Sequence, residues 1–213
     1  MQDLLIDLDN TVYPEDSNIF IQIDLKMKSF IAEYLNVSLD EAFKIQKKYF
    51  INNGTTLRGL MLYHNVQPEK FLNYVHDIDL TNIKKNKELA HELKKYNGKK
   101  IIFTNGSDQH AKKVLSQIGL NNTIDNIFDI IKADYIPKPE ILTYQKVINE
   151  YHLDPRNTIM IDDLPNNLRT AKELGMKTVL IKKGFLNNNT HDHVDIVCDN
   201  LLETIKKINK GII

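Results

Sequence analysis

The sequence predicts a doubly wound α/β fold, a mainly parallel sheet with helices on both faces, interrupted by a small α-helical insertion. Three observations predict it. Short apolar runs rich in Ile, Leu, Val and Phe recur along the chain, each bounded by polar or turn residues. Runs of this length suit strands buried on both faces of a parallel sheet. Amphipathic helical patterns alternate with most of them, as strand–helix–strand units require. One interval, from about Glu15 to Asn97, breaks the alternation and carries apolar residues only at helical spacing.

The first run, LLIDLDNTVYP at 4–14, reads as the opening strand and leads straight into Asp7 and Asp9. The insertion follows as DSNIFIQIDLKMKSFIAEYLN, SLDEAFKIQKKYFIN, TTLRGLMLYHN and PEKFLNYVHD. These are four helices, the second capped by Ser38 with Glu41 completing a capping box. A fifth, KKNKELAHELKKYN, belongs to the sheet as a crossover helix. The remaining strands are KKIIFTNG at 99–106, NIFDIIKAD at 126–134, NTIMIDDLP at 157–165 and KTVLIKKG at 177–184, with HVDIVCDN at 193–200 as a weaker edge strand. Helices at 108–118, 140–151 and 165–174 lie between them, the last stopped by Gly175. The sheet domain therefore comprises 1–14 and 84–213, and the insertion 15–83. NNNTHDH at 187–193 reads as a solvated loop in preference to a metal site at His191 and His193.

A chain of 213 residues is enough for one or two domains. Lys plus Arg and Asp plus Glu both total 28, which argues against a nucleic-acid polymer or a membrane surface as partner. The single cysteine, Cys198, forms no intrachain disulfide. The N-terminus has no signal-peptide pattern, and no window holds about 18 uninterrupted apolar residues. The expectation is a soluble cytoplasmic protein, monomer or homodimer.

Ligands of open parallel sheets bind beyond the carboxyl ends of the strands. The first strand delivers Asp7 and Asp9 there, two apart and hence on one side of an extended chain. The second delivers Thr104, Asn105 and Gly106, the loop after the third carries Lys138 between two prolines, and the fourth delivers Asp162 and Asp163. Uncompensated charge is costly at a buried strand end. Lys138 and a divalent cation such as Mg²⁺, which favours few carboxylates and several waters, would supply the counter-charge. Thr104 to Ser107 precede a helix, and such a start suits phosphate oxygens as well as an ordinary cap.

DLDNT, then a strand-end threonine, a lysine and a DD pair, in that order, resemble the haloacid dehalogenase superfamily of aspartate-nucleophile phosphohydrolases. The resemblance covers nearly the whole chain. DLDNTVYP, FTNG followed by His110-Ala111, IDDLPNN and GTTLRGL at 54–60 are more narrowly similar to its pyrimidine 5′-nucleotidase-like branch. The resemblance implies a Rossmann-like core with the helical insertion as a mobile cap. It implies Asp7 as nucleophile, Asp9 as general acid and base, and Lys138 as the neutralising cation. Thr104 and the Asn105 and Gly106 amides would bind phosphate. Mg²⁺ would be held by the Asp7 carboxylate, the Asp9 carbonyl and Asp163, with Asp162 close by; which member of the pair ligates stays open, Asp163 being favoured. Three departures stand out: the lysine stands in KPEIL, without a second proline, DD replaces the commoner Gly-Asp, and Asn167 and Leu168 stand where many members carry a later acid.

The implied substrate is a small phosphorylated metabolite, a pyrimidine nucleoside monophosphate first and a sugar phosphate second. A phosphomutase would share every core residue. Dehalogenation needs no acid at Asp9, because halide leaves unprotonated. A signalling receiver would place its acidic pair before the phosphorylated aspartate and would leave the insertion unexplained. Arg58 is the expected polar contact from the cap, and Tyr13 could stack on a base or sugar. His64 and His110 read as capping, core or supporting residues.

Overall fold

Alternate side chains along each strand go to opposite faces of the sheet, so each strand feeds two cores. Leu4, Ile6, Ile102, Ile159, Ile161, Val179 and Ile181 join one core. Their neighbours Leu5, Ile101, Phe103, Met160 and Leu180 join the other. In the computed structural model, which describes residues 2–184 and 191–213, the six strands are β1 Asp3–Ile6, β2 Lys100–Phe103, β3 Asn126–Phe128, β4 Thr158–Asp162, β5 Lys177–Ile181 and β6 Ile196–Cys198. They pair in the order β3-β2-β1-β4-β5-β6, every pair parallel. The order reverses across β1, which lies between β2 and β4.

Helices α1 Ile19–Leu35, α2 Leu39–Asn53, α3 Thr56–His64 and α4 Pro68–Val75 form the insertion between β1 and α5 Lys87–Lys95. Ser38 Oγ accepts from Glu41 N at 3.2 Å and starts α2. The Glu41 carboxylate lies 3.8 Å from Lys44. Thr55 caps α3 in the same way, accepting from Arg58 N. α2 and α3 pack so closely that a Cβ on Gly59 would stand 2.3 Å from Tyr49 Cγ, so only glycine fits. The other helices are α6 Asp108–Ile118, α7 Ile141–Tyr151, α8 Pro165–Glu173 and α9 Leu201–Asn209.

Two features differ from the sequence expectation. The third strand ends at Phe128, short of the apolar run, because the next residue folds the chain into a turn. Asp129 accepts from Asp108 N at 2.8 Å and from Lys132 N at 3.0 Å, and its carbonyl accepts from Ala133 N. α9, whose Leu201, Ile205 and Ile208 close the β6 end of the sheet, had not been assigned. Of the 187–193 loop, residues 187–190 lie outside the described residues; the His191 and His193 rings sit 5.3 Å apart. Among the described residues, no helix is long and apolar enough to cross a membrane.

Candidate active site

β1 stops at Ile6, but its ladder continues one step. Asp7 N donates to Ile161 O at 2.9 Å, so the carboxylate leaves the sheet with its backbone still fixed to β4. Val12 N then returns to Leu8 O, and Asn10 takes a left-handed conformation, φ 58°. That turn brings Asp9 back over the sheet edge. Beyond β2, Thr104 N donates to Phe128 O, and Ser107 Oγ caps α6 by accepting from His110 N.

Lys138 is brought to this edge by its loop and is 1 % exposed. Its Nζ lies 2.7 Å from Asp7 Oδ1 and 2.8 Å from Asp162 Oδ2. Its Nζ also lies over the Phe103 ring, 5.1 Å from the centroid. Asn105 fixes the loop in both directions: Lys138 N donates to its Oδ1 at 2.8 Å, and its Nδ2 donates to Lys138 O at 3.2 Å. The backbone of Lys138 is therefore tied to the strand-end segment that carries Thr104.

The two members of the DD pair stand in different surroundings. Asp162 is fully buried, and besides Lys138 it accepts from Leu164 N and from Asn167 Nδ2, 2.9 and 3.0 Å from its two oxygens. Its acceptor capacity is largely spent on holding Lys138 and the start of α8. Asp163 is half-buried and carries no such set of donors. One carboxylate oxygen each from Asp7, Asp162 and Asp163 lies within 4.8 Å of the others, the sole cluster of its kind among the described residues.

Electrostatics express a shortage of positive charge. Burial first, and then Asp162, Asp163 and Asp9, push Asp7 well above the usual carboxylate range, against the opposing pull of Lys138. Burial and Asp162 push Asp163 up to about 7. Burial alone would lower the lysine, but Asp162 and Asp7 outweigh it and hold Lys138 above its ordinary value. Four carboxylates facing one ammonium suit a hard divalent cation, which the oxygens of Asp7, Asp162 and Asp163 are close enough together to hold. Asp9 goes the other way. Burial would raise it, but His110 beside it and hydrogen bonds from His110 and Tyr13 bring it below its usual value.

A cavity of about 240 Å³ opens over these groups. Asp7, Asp9, Thr104, Asn105, Gly106, Lys138 and Asp163 form its floor, and Phe20, Met27, Phe50, Phe71 and Val75 of the insertion form its roof. The expected residues thus come together at the sheet edge, with exceptions. Gly106 N donates to Thr104 Oγ1 at 2.9 Å, so that amide is held inside its own loop instead of being open to a ligand. Tyr13 is buried, 2 % exposed, and donates to Asp9 Oδ1 at 2.6 Å, where it has no face for stacking on a base. Arg58 is not among the residues lining the cavity; it points across to Glu140, 3.5 Å away, at the seam between insertion and sheet domain. His64 bonds Tyr49 within the insertion.

Sequence reasoning missed His76 and the part played by His110. His110 Nε2 lies 2.8 Å from Asp9 Oδ1, and the His76 ring stacks on it at 4.3 Å. His76 follows α4 without any motif around it. His110, close after FTNG in the sequence, had a usable signal in that nearness.

The comparisons agree with this geometry. Residues 4–175 match the model of a hydrolase family described as haloacid dehalogenase-like hydrolase. The chain is 25 % identical to a glyceraldehyde 3-phosphate phosphatase of Methanocaldococcus jannaschii, over 98 % of this chain and 97 % of that one. Its fold is similar to that of a HAD phosphatase from Thermococcus onnurineus, with TM-score 0.62, 17 % identity and coverage of 100 % and 98 %. It is similar also to L-2-haloacid dehalogenase from Xanthobacter autotrophicus, with TM-score 0.65, 11 % identity and full coverage of both chains.

Proposed function

We propose that this chain, which belongs to the haloacid dehalogenase-like hydrolases, is a Mg²⁺-dependent phosphatase of small phosphate monoesters. The observation that carries the reading is the buried Asp7–Lys138–Asp162 chain, at 2.7 and 2.8 Å, with Asp9 and Asp163 beside it. Bound between Asp7 and Asp163, Mg²⁺ would supply charge that lets a phosphate dianion sit among carboxylates.

Asp7 attacks phosphorus, and its carboxylate oxygen forms a bond as the ester P–O bond breaks. Asp9, which takes up a proton as the phosphate dianion binds beside it, gives that proton to the departing alkoxide. Asp9 then takes a proton from water as that water attacks the aspartyl-phosphate, which releases inorganic phosphate, frees the Asp7 carboxylate and leaves Asp9 protonated again. Lys138 holds Asp7 in line and offsets charge on the transferring group. Thr104 and the Asn105 amide offer donors to phosphate oxygens. A general acid distinguishes this chemistry from dehalogenation, where a halide needs no proton.

The roof sets Phe20, Phe50 and Phe71 beside the polar Asp24, Gln46 and Lys47, which suits a leaving group with a flat face and a polar edge, so a pyrimidine nucleoside 5′-monophosphate is the leading substrate. A triose or other sugar phosphate is the second reading, supported by the likeness to the glyceraldehyde 3-phosphate phosphatase. The cavity is smaller than the roughly 300–1,000 Å³ usual for drug-sized ligands, which fits either. Phosphate release from a panel of nucleoside monophosphates and sugar phosphates, with and without Mg²⁺ and with Asp7→Asn in parallel, tests the proposal. Turnover by the wild type alone, dependent on Mg²⁺, supports it. Equal phosphate release by Asp7→Asn removes the nucleophile role, and no release from any ester removes hydrolysis.

A further inference from the structure

Asp9 is held by one oxygen only. Tyr13 Oη and His110 Nε2 both meet Oδ1, at 2.6 and 2.8 Å. Oδ2 takes neither bond and lies toward Gly106, 3.7 Å from where a Cβ would stand there. His110 Nδ1 is buried with no hydrogen-bond partner. Nε2 is therefore the one ring nitrogen with a hydrogen-bond partner, and its hydrogen goes to Asp9.

The other face of the His110 ring is covered from the cap. The His76 ring lies parallel to it, 8° between planes. His76 Nδ1 is 3.0 Å from Ser107 Oγ, the group that caps the helix carrying His110. His76 closes α4, the last helix before the chain returns to the sheet domain. It also lines the cavity. Asp9, His110 and His76 therefore form one stack running from the sheet edge into the cap.

We propose that His110 is a positioning residue which, together with Tyr13, occupies Asp9 Oδ1 so that Oδ2 alone exchanges the proton with the leaving group, and that His76, stacked on His110, ties this orientation to the seating of the cap. The inference rests on the phosphatase reading. A carboxyl group can carry its proton on either oxygen and can rotate about its Cβ–Cγ bond. Two donors on Oδ1 remove both freedoms. The Oδ2–H bond breaks as the ester oxygen leaves, Oδ2 receives the proton of the attacking water, and Oδ1 accepts the same two hydrogen bonds throughout. With the cap displaced, the stacked ring is uncovered and the acid loses part of its alignment, so proton transfer is coupled to closure over a bound substrate.

The test uses leaving groups that differ in their need for a proton. p-Nitrophenolate departs unprotonated, whereas the 5′-oxygen of uridine 5′-monophosphate requires an acid. The readout is the ratio of kcat/KM for the nucleotide, or for glyceraldehyde 3-phosphate if that is the faster ester, to kcat/KM for p-nitrophenyl phosphate. This parameter reports the first phosphoryl transfer, the step Asp9 assists as acid. In Tyr13→Phe and His110→Phe the ratio is expected to fall at least tenfold, with His110→Gln, which keeps a side-chain N–H, recovering most of it. His76→Ala is expected to lower the ratio in the same direction by less. A parallel loss on both esters, or a His110→Gln no better than His110→Phe, overturns the proposal as a structural effect. Should His110→Phe fail to fold, Tyr13→Phe, which removes one oxygen atom, decides the matter alone. If the wild type hydrolyses neither ester with Mg²⁺ present, the phosphatase reading itself falls, a result distinct from an unchanged ratio.

Discussion

The sheet edge and the cap of this molecule solve opposite problems. At the edge Asp7, Lys138 and Asp162 are buried, and Lys138, Asp162 and Asp9 are each held by more than one partner. Lys138 has two carboxylates and a loop fixed by Asn105, Asp162 has three donors, and Asp9 has two. The cap builds its cavity wall chiefly from packed apolar side chains and leaves others in water, with Ile51 77 % and Leu62 60 % exposed. The difference teaches that the chemistry is fixed by a dense polar network, while admission of substrate is left to a surface that can change without disturbing it.

The largest expected effect comes from breaking the edge network at its centre. Lys138→Met leaves Asp7 and Asp162 buried without their cation. Removing one partner of a buried pair costs about 3–5 kcal/mol, and loss of charge stabilisation at a reacting centre costs about 10²–10³-fold in kcat. Urea denaturation and steady-state kinetics on one preparation measure both; loss of activity with unchanged stability would separate the two roles.

The cap should answer to packing instead. In Gly59→Ala the new methyl meets Tyr49 at 2.3 Å, and overpacking of this kind costs about 1–3 kcal/mol. The expected result is a lower urea midpoint and a raised KM, with a smaller change in kcat. An equal fall in kcat would show that the two regions are less separable than their contacts suggest.

A third comparison uses pH. Asp163 is raised to about 7, mainly by burial, and Asp7 is raised for the same first reason. A carboxyl whose folded pKa lies above its unfolded one adds stability below its unfolded pKa of about 3.9 and loses it as pH rises through the folded value. The metal-free edge is therefore expected to lose stability between about pH 4 and 7. Mg²⁺ at the proposed site would bind the deprotonated carboxylates and should restore it. The Mg²⁺-induced rise in Tm should be larger at pH 7.5 than at pH 5.5, by a few degrees at about 2–4 °C per kcal/mol. A shift equal at both pH values would remove Asp163 from the cation site. The smallest effect is expected at the seam. Arg58→Ala breaks a partly exposed pair with Glu140, worth about 0–1 kcal/mol, and should change KM by no more than about twofold.

The same division explains what was legible in the sequence. A buried parallel strand is a continuous apolar run, and an acid at its end is conspicuous, so Asp7, Asp9, Thr104, Lys138 and the DD pair could be placed on one edge from order alone. The third strand was read too long because Asp129 turns the chain by side-chain bonds to residues distant in sequence. Tyr13 was read as a substrate contact because a tyrosine beside two aspartates gives no sign of which way its ring faces. Arg58 was read the same way, and the structure turns it toward Glu140. His76 had no local signal, since its meaning comes only from a partner on α6.

The position of β1 has a consequence for how the chain acquires this fold. β1 precedes the other described strands in the chain yet lies in the middle of the sheet, where Leu4 pairs with Lys100 and Asp3 with Thr158. Its partners are separated from it by the whole cap on one side and by most of the polypeptide on the other. Topologies dominated by such distant pairings fold slowly, because loop closure precedes its reward. During synthesis β1 would leave the ribosome with two unpaired, apolar edges, and the four cap helices, whose contacts are local, would form while it waits. A ribosome stalled before β4 would display an open strand beside β1, a surface suited to chaperones or to aggregation.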